Sequence, residues 1–127
     1  MIEVKKIIVA HEDDRGKIMD IVEKEPLEYV TIITCQPGAV RGNHYHKESH
    51  QFMYILSGRL TYAAQVPGAP AETVEIATGD LVHNPPHERH AIKALEYSEC
   101  LVLTRGPRGG QAYETDTFRL EEGEKLL

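Results

Sequence analysis

Three of the chain's seven histidines fall in one stretch, PGAVRGNHYHKESHQFMYILSG from Pro37 to Gly58, and two of them read His44-Tyr45-His46. Side chains two apart on a strand leave the same face, so an extended run over residues 40–46 sends both imidazoles to one side. His50 and Gln51 follow just past the next turn. Neutral imidazoles converging in this way could ligate a metal or line a metal-free pocket. The rest of the chain reads as the container that positions them.

That container is built from short strands. Runs rich in Val, Ile, Thr and Tyr alternate with Gly, Pro and acidic turns, and no segment keeps a helical period over three turns. EVKKIIVA at residues 3–10 and IMDIV at 18–22 open the chain as strands on either side of the polar turn His11 to Lys17. YVTIITC follows, with Val30, Ile32 and Thr34 on one face and Tyr29, Thr31, Ile33 and Cys35 on the other. Pro37-Gly38 turns the chain into the histidine strand, QFMYIL returns antiparallel to Ser57-Gly58, and RLTYAAQV and TVEIA continue. LVHNPPHERH reads as an extended loop, because Pro85-Pro86 cannot sit in a central strand. HAIKAL, SECLVLT and TFRL complete about ten strands, with RGPRGGQAYETD as a long polar loop before the last. Strands at this spacing without a helix predict an all-β jelly roll or small closed barrel enclosing a ligand-sized interior.

Composition limits what such a container does. A chain of 127 residues predicts one domain over 1–127 with a single core. A formal net charge of −6 argues against nucleic acid or an anionic membrane as partner. The longest aliphatic run, Ile7 to Ala10, is too short for a membrane span or the core of an export signal. Cys35 and Cys100 lie in strand-like segments and are expected as small buried apolar residues, and cytoplasmic localisation is expected.

Two motifs now stand out by their fixed spacings. Gly38 is followed after five residues by His44, then His46, then Gln51 after four more and Gly58 after six more. Gly79 is followed after five residues by Pro85, then Pro86-His87, and His90 after two more. Together they resemble the paired motifs of the cupin superfamily, whose fold is a double-stranded β-helix, the cupin jelly-roll barrel. The resemblance implies a divalent metal held by His44, His46, Gln51 and His90, with Fe, Mn, Ni, Cu and Zn all suited to neutral imidazoles. Gln51 stands where the family most often has Glu, so the site would carry no negative charge of its own. His50 is an alternative to Gln51, although only one of two adjacent strand residues faces inward, and motif spacing favours Gln51. His87 replaces the family's Gly, which leaves either an unusual loop conformation or an extra ligand. His11 and His83 fall outside the pattern and read as surface residues.

A narrower resemblance concerns function. Arg41-Gly42-Asn43-His44 looks like the Arg-Gly-x-His motif of cupins acting on nucleotide-activated keto-sugars, the dTDP-4-dehydrorhamnose 3,5-epimerase group and the sugar ketoisomerases. Asp13-Asp14-Arg15-Gly16 is similar to their Asp-x-Arg-Gly turn. Such chemistry removes a proton beside a carbonyl, which needs a base, an acid and a partner for the enolate oxygen. The resemblance implies His44 or His46 as base, Tyr54 or Tyr62 as acid, and a metal or Arg41 at the enolate. Arg15 and Arg41 would meet the diphosphate as forked donors, with Tyr62 also at the substrate. Arg105 and Arg108 in RGPRGG could form a phosphate-binding loop, but a solvated turn is the favoured reading. A homodimer is expected, as is common among cupins. Two other readings share the pocket: a mononuclear Fe or Mn dioxygenase on a small carbonyl or enol compound, and a non-catalytic small-molecule-binding cupin.

Overall fold

The computed structural model describes residues 2–127, almost all of them strands and turns. In chain order the strands are β1 (Lys5–Lys6), β2 (Val9–Asp13), β3 (Gly16–Met19), β4 (Tyr29–Cys35), β5 (Val40–Tyr45) and β6 (His50–Ser57). There follow β7 (Arg59–Gln65), β8 (Glu72–Ala77), β9 (Asp80–Asn84), β10 (Arg89–Ala94), β11 (Ser98–Arg105) and β12 (Phe118–Arg119). One helix, α1 (Gln111–Thr115), and a 3₁₀ turn at Glu122–Glu124 complete the elements. Among the described residues no helix is long and apolar enough to cross a membrane.

Two five-stranded antiparallel sheets face each other, in the orders β1-β9-β6-β11-β4 and β12-β5-β10-β7-β8. The inward residues of both sheets make the core: Cys35, Met53, Ile55, Leu60, Tyr62, Ile76, Val82, Cys100 and Val102 are all buried. This is the jelly-roll arrangement that the strand spacing predicts. Both cysteines are free and buried in it.

Three local expectations change. The turn expected over His11 to Lys17 is tighter, because β2 runs to Asp13 and β3 resumes at Gly16. An exposed two-stranded ribbon carries polar residues on its strands, which hid it from a reading based on apolar runs. LVHNPPHERH is not a loop throughout: Pro85-Pro86 ends β9 rather than excluding it, and β9 pairs with β6 from Gln51↔Asn84 to Tyr54↔Leu81. The polar segment RGPRGGQAYETD contains α1.

The pairing of β5 with β10 matters most for function. Ile92 faces Arg41 and Ala91 faces Gly42, yet His90 faces His44, so Asn43 is an extra residue on β5. Gly42 and Asn43 both have positive φ, 90° and 55°, the local geometry of a β-bulge. A Cβ on Gly42 would lie 2.8 Å from the His90 carbonyl oxygen, so only glycine fits there.

The β6–β7 turn is built on the same constraint. Gly58 has φ 99°, and a Cβ there would lie 2.6 Å from the Tyr97 carbonyl oxygen and 2.7 Å from Ser98 Cα. Both are backbone atoms that cannot swing aside. Gly58→Ala is therefore expected to destabilise the fold by about 2 kcal/mol or more in urea denaturation. A loss below about 0.5 kcal/mol would show that this turn relaxes freely.

Candidate functional site

The barrel encloses a cavity of about 470 Å³ lined by both sheets. On one wall Arg119, His44 and His90 stand in register across β12, β5 and β10. On the other, Thr104, Gln51 and Asn84 stand in register across β11, β6 and β9. His46, just beyond β5, is buried beside the first row, with its ring centroid 4.8 Å from that of His44 and 5.4 Å from that of His90. The His44 and His90 rings meet edge-on at 4.7 Å. One nitrogen from each of these histidines lies within 4.8 Å of the others, a group that can hold a metal ion.

Hydrogen bonding fixes how His46 presents itself. Its Nδ1–H donates to the Asp116 carbonyl oxygen at 2.8 Å, which leaves the Nε2 lone pair free. That Nε2 is buried without a hydrogen-bond partner. An orphaned buried nitrogen, oriented by a backbone carbonyl behind it, fits a metal ligand. Asp116 in turn is tied down by donors. Its carboxylate accepts the backbone N–H groups of Lys47 at 3.0 Å and Ser49 at 3.0 Å and the Ser49 hydroxyl at 3.1 Å. Burial raises the Asp116 pKa, but these hydrogen bonds outweigh it and hold the carboxyl below its ordinary value.

The three imidazoles are kept neutral. Burial, then the charge of His46, Arg119 and Arg108, lowers the His44 pKa to about 4. Burial and the neighbouring His44 and His46 lower His90 to about 3, and burial also lowers His46. All three therefore offer lone pairs at neutral pH. The Tyr62 hydroxyl accepts a hydrogen bond from the Asn84 amide, and burial raises its pKa, so it stays protonated.

The mouth is cationic. Arg41, Arg108 and Arg119 line the cavity, and no carboxylate does among the described residues. Arg41 Nη2 donates to the Thr34 carbonyl at 3.1 Å. Arg108 Nε donates to Thr31 Oγ1 at 3.1 Å, and its guanidinium lies 5.1 Å from the Tyr113 ring centroid. Tyr113 itself stands over the histidines, with ring centroids 6.5 Å from His44 and 5.8 Å from His46. Arg119 is held by Glu114 through two hydrogen bonds of 3.1 and 3.2 Å. Neutral nitrogen donors inside and guanidinium groups outside suit an anionic ligand with a less charged head.

The structure brings together His44, His46, His90, Gln51, Arg41 and Tyr62. It does not bring in the other two residues singled out from the sequence. Tyr54 alternates with Met53 on β6 and shares its row with Leu81 and Leu101, so it leaves the face opposite Gln51 and is no acid for this cavity. Arg15 sits at the exposed tip of the β2–β3 hairpin, its Nη2 paired with Asp13 Oδ2 at 2.7 Å. That hairpin pairs only with itself, which holds Arg15 away from its own chain's cavity. His50 points outward and stacks near His83, while His87 is exposed with φ 72°, so neither joins the group.

Three residues escaped sequence reasoning, Tyr113, Arg119 and Asn84, and for a fourth, Arg108, the sequence favours a solvated turn over a phosphate binder. Arg108 is a correction, since it lines the mouth rather than a solvated turn. Its loop carried a signal, an arginine in a glycine-rich run five residues before a tyrosine, but nothing in the local pattern shows that α1 folds back over the barrel. Asn84 was legible only once β9 was recognised, two positions on from the inward Val82.

Comparison with known proteins agrees with this architecture. The family model "Cupin domain" matches residues 31–104. An oxalate decarboxylase from Arthroderma benhamiae is 27% identical over 92 residues, which is 68% of this chain and 22% of that protein. The chain thus spans about a fifth of the length of that curated relative. A 3,4-ketoisomerase from Thermoanaerobacterium thermosaccharolyticum, solved as a double mutant in complex with TDP, superposes with TM-score 0.76 at 24% identity, covering 98% of this chain and 91% of that one. A dTDP-4-dehydrorhamnose 3,5-epimerase from Sulfolobus tokodaii gives TM-score 0.74 at 16% identity, covering 99% and 85%.

Buried neutral histidines make a pH prediction with a definite sign. The folded pKa values of His44 and His90, about 4 and about 3, lie below the ordinary 6.5, so below that pH the unfolded chain binds more protons. Stability is then full above pH 6.5 and falls towards pH 4, by roughly 1.4 kcal/mol per pH unit for each group. Urea titrations of wild type and His90→Gln across this window should differ in slope by about one such group. Equal slopes would overturn the burial of a neutral His90.

Proposed function

We propose that this chain, which belongs to the cupin family, is an isomerase or epimerase acting on a nucleotide-activated keto-sugar. One observation carries the reading: neutral imidazoles and a protonated tyrosine share a cavity whose other charged groups are three arginines. A keto-sugar attached to a diphosphate is a neutral head on a dianionic stalk. Arg41, Arg108 and Arg119 take the diphosphate at the mouth, and the sugar enters among His44, His90, Gln51 and Tyr62. The likeness to sugar 3,4-ketoisomerases and a 3,5-epimerase supports the same substrate class.

The chemistry needs little beyond these side chains. His44 removes the proton from the carbon beside the carbonyl, and its electron pair becomes the enolate. In epimerisation the proton returns to the same carbon from the other face. In isomerisation it returns to the former carbonyl carbon, while the neighbouring hydroxyl proton passes to the former carbonyl oxygen. Tyr62 takes the place of Tyr54 as the hydroxyl donor, with Tyr113 across the mouth. His46 supports His44, and the arginines and Tyr62 hold charge developing on oxygen.

Where a divalent metal is bound, His44, His46 and His90 would hold it, with Gln51 from the facing wall. Zn, Fe, Mn and Ni all suit that donor set, and the metal would polarise a carbonyl or enol oxygen as a Lewis acid. A second reading follows from that group, namely metal-dependent chemistry on a small carbonyl or enol compound. It is favoured by the orphaned His46 Nε2 and by the resemblance to an oxalate decarboxylase.

The proposed assembly is a homodimer. β4 is an edge strand whose outer face exposes Val30 at 66% and Ile32 at 65%. The self-paired hairpin β2–β3 and its approach expose Ile18 at 58% and Ile8 at 78%. Apolar surface of this kind beside an open strand edge suits a second copy. The free buried thiols fit a cytoplasmic enzyme.

Independent measurements test the ligand, the chemistry and the assembly. Thermal-shift titration with dTDP or UDP should raise the melting temperature, and Arg108→Ala should weaken nucleotide binding by about tenfold. His44→Asn should lower ketoisomerase or epimerase turnover by about a hundredfold or more, followed by NMR of the sugar. Failure of both nucleotides to stabilise the protein would sink the sugar-nucleotide reading; stoichiometric metal with oxygen uptake on an enol would favour the second. Sedimentation should give a dimer that Ile32→Lys converts to monomer, and a monomeric wild type would refute the assembly.

A further inference from the structure

Arg41 and His44 are three residues apart, an odd separation that on a regular strand sends them to opposite faces. Both nevertheless line the cavity. The reason is the extra residue. Arg41 pairs with Ile92 and His44 with His90, two inward residues of β10, and Asn43 is the position that absorbs the mismatch. Without that bulge the chain could present Arg41 or His44 to the ligand, but not both.

The bulge is locked from outside the barrel. Asn43 holds φ 55°, a left-handed conformation that asparagine tolerates better than most residues. Its side chain is buried and occupied in full view of the C-terminal segment. Oδ1 accepts the backbone N–H of Leu126 at 2.8 Å and of Leu127 at 3.3 Å, while Nδ2 donates to the Leu127 carbonyl at 3.1 Å. The Asn43 carbonyl accepts the N–H of Leu120 at 2.9 Å. Residues 120–127 therefore start and finish on Asn43. Immediately before them β12 pairs Arg119 with His44, so the same segment carries a mouth arginine.

We propose that Asn43 is a positioning residue, whose clamp on residues 126–127 holds the bulge that aims Arg41 and His44 into one cavity. It touches no ligand itself and acts through His44. The segment 120–127 is then part of the functional device, a strap whose release lets β5 slip towards regular pairing and turns His44 out of line with His90.

The test separates the clamp from the backbone conformation. Asn43→Gly keeps positive φ available but removes every side-chain hydrogen bond. Deletion of residues 121–127 removes the clamp's other half and leaves Asn43 in place. The structural readout is the NOE between the His44 and His90 ring protons, whose rings lie 4.7 Å apart in the clamped state. Each variant is expected to lose that NOE while most other amide resonances of both sheets stay in place. Turnover of the keto-sugar, an arm that rests on the proposed function, should fall at least tenfold in kcat with KM changed less than threefold, and Asn43→Asp, which retains the acceptor, should recover part of it. The combined variant should be no worse than either alone, because both break one contact. Retention of the NOE in both folded single variants, or a hundredfold loss in the combined one where each single loses tenfold, overturns the proposal. Should wild type not turn over the keto-sugar, the functional reading fails, and the NOE still decides the role of Asn43.

Discussion

The carboxyl-terminal half of the site hangs on Asp116. Its carbonyl takes the His46 Nδ1 proton, and its carboxylate takes the N–H groups of the turn that joins β5 to β6. One residue thus fixes the tautomer of a histidine and the course of the chain between the two strands of the first motif. Asp116 also follows α1, so the mouth segment that carries Arg108 and Tyr113 is anchored at the same point. Loss of its carboxylate would free the turn beside His46 and loosen the segment whose backbone carbonyl orients the histidine. A buried carboxylate with so many donors is costly to assemble halfway, which makes the arrangement all or none.

Against that anchor the electrostatics of the cavity are simple. Burial suppresses charge on the imidazoles, and the arginines near His44 reinforce it, so the interior is neutral and rich in lone pairs while the rim is cationic. Glu114 partly offsets Arg119 but does not line the cavity. Gln51 matters here more by what it lacks. A glutamate at its position would put a negative charge opposite the histidines, favouring a cation and opposing an anionic ligand. With an amide that position adds no charge to the cavity.

The fold was legible because its signals are local. Period-two alternation in YVTIITC and the Gly and Pro punctuation state strand and turn without reference to partners, and the glycines at positions 38, 58 and 79 all turned out to have positive φ. The histidine set was legible because motif spacing encodes register. Tyr54 failed because alternation names two faces without saying which is inside; Met53 took the inward place. Arg15 failed for a different reason, since its turn is real but its hairpin stands apart from the barrel. Arg108 and Tyr113 were hidden because the path of a loop over a cavity mouth depends on a contact seventy-odd residues away, Arg108 on Thr31.

Sequence by itself determined the strand content, the pairing of two glycine-initiated motifs and the convergence of His44, His46 and His90. These depend on residue type and spacing, which the chain carries in one dimension. Only the tertiary structure decided which tyrosine faces inward, that the mouth is ringed by Arg41, Arg108 and Arg119, and that Asn43 breaks the register of β5. Facing, closure and register are properties of pairs of strands. Each is set when distant segments compete to fill the same interior, and no single segment specifies the outcome alone.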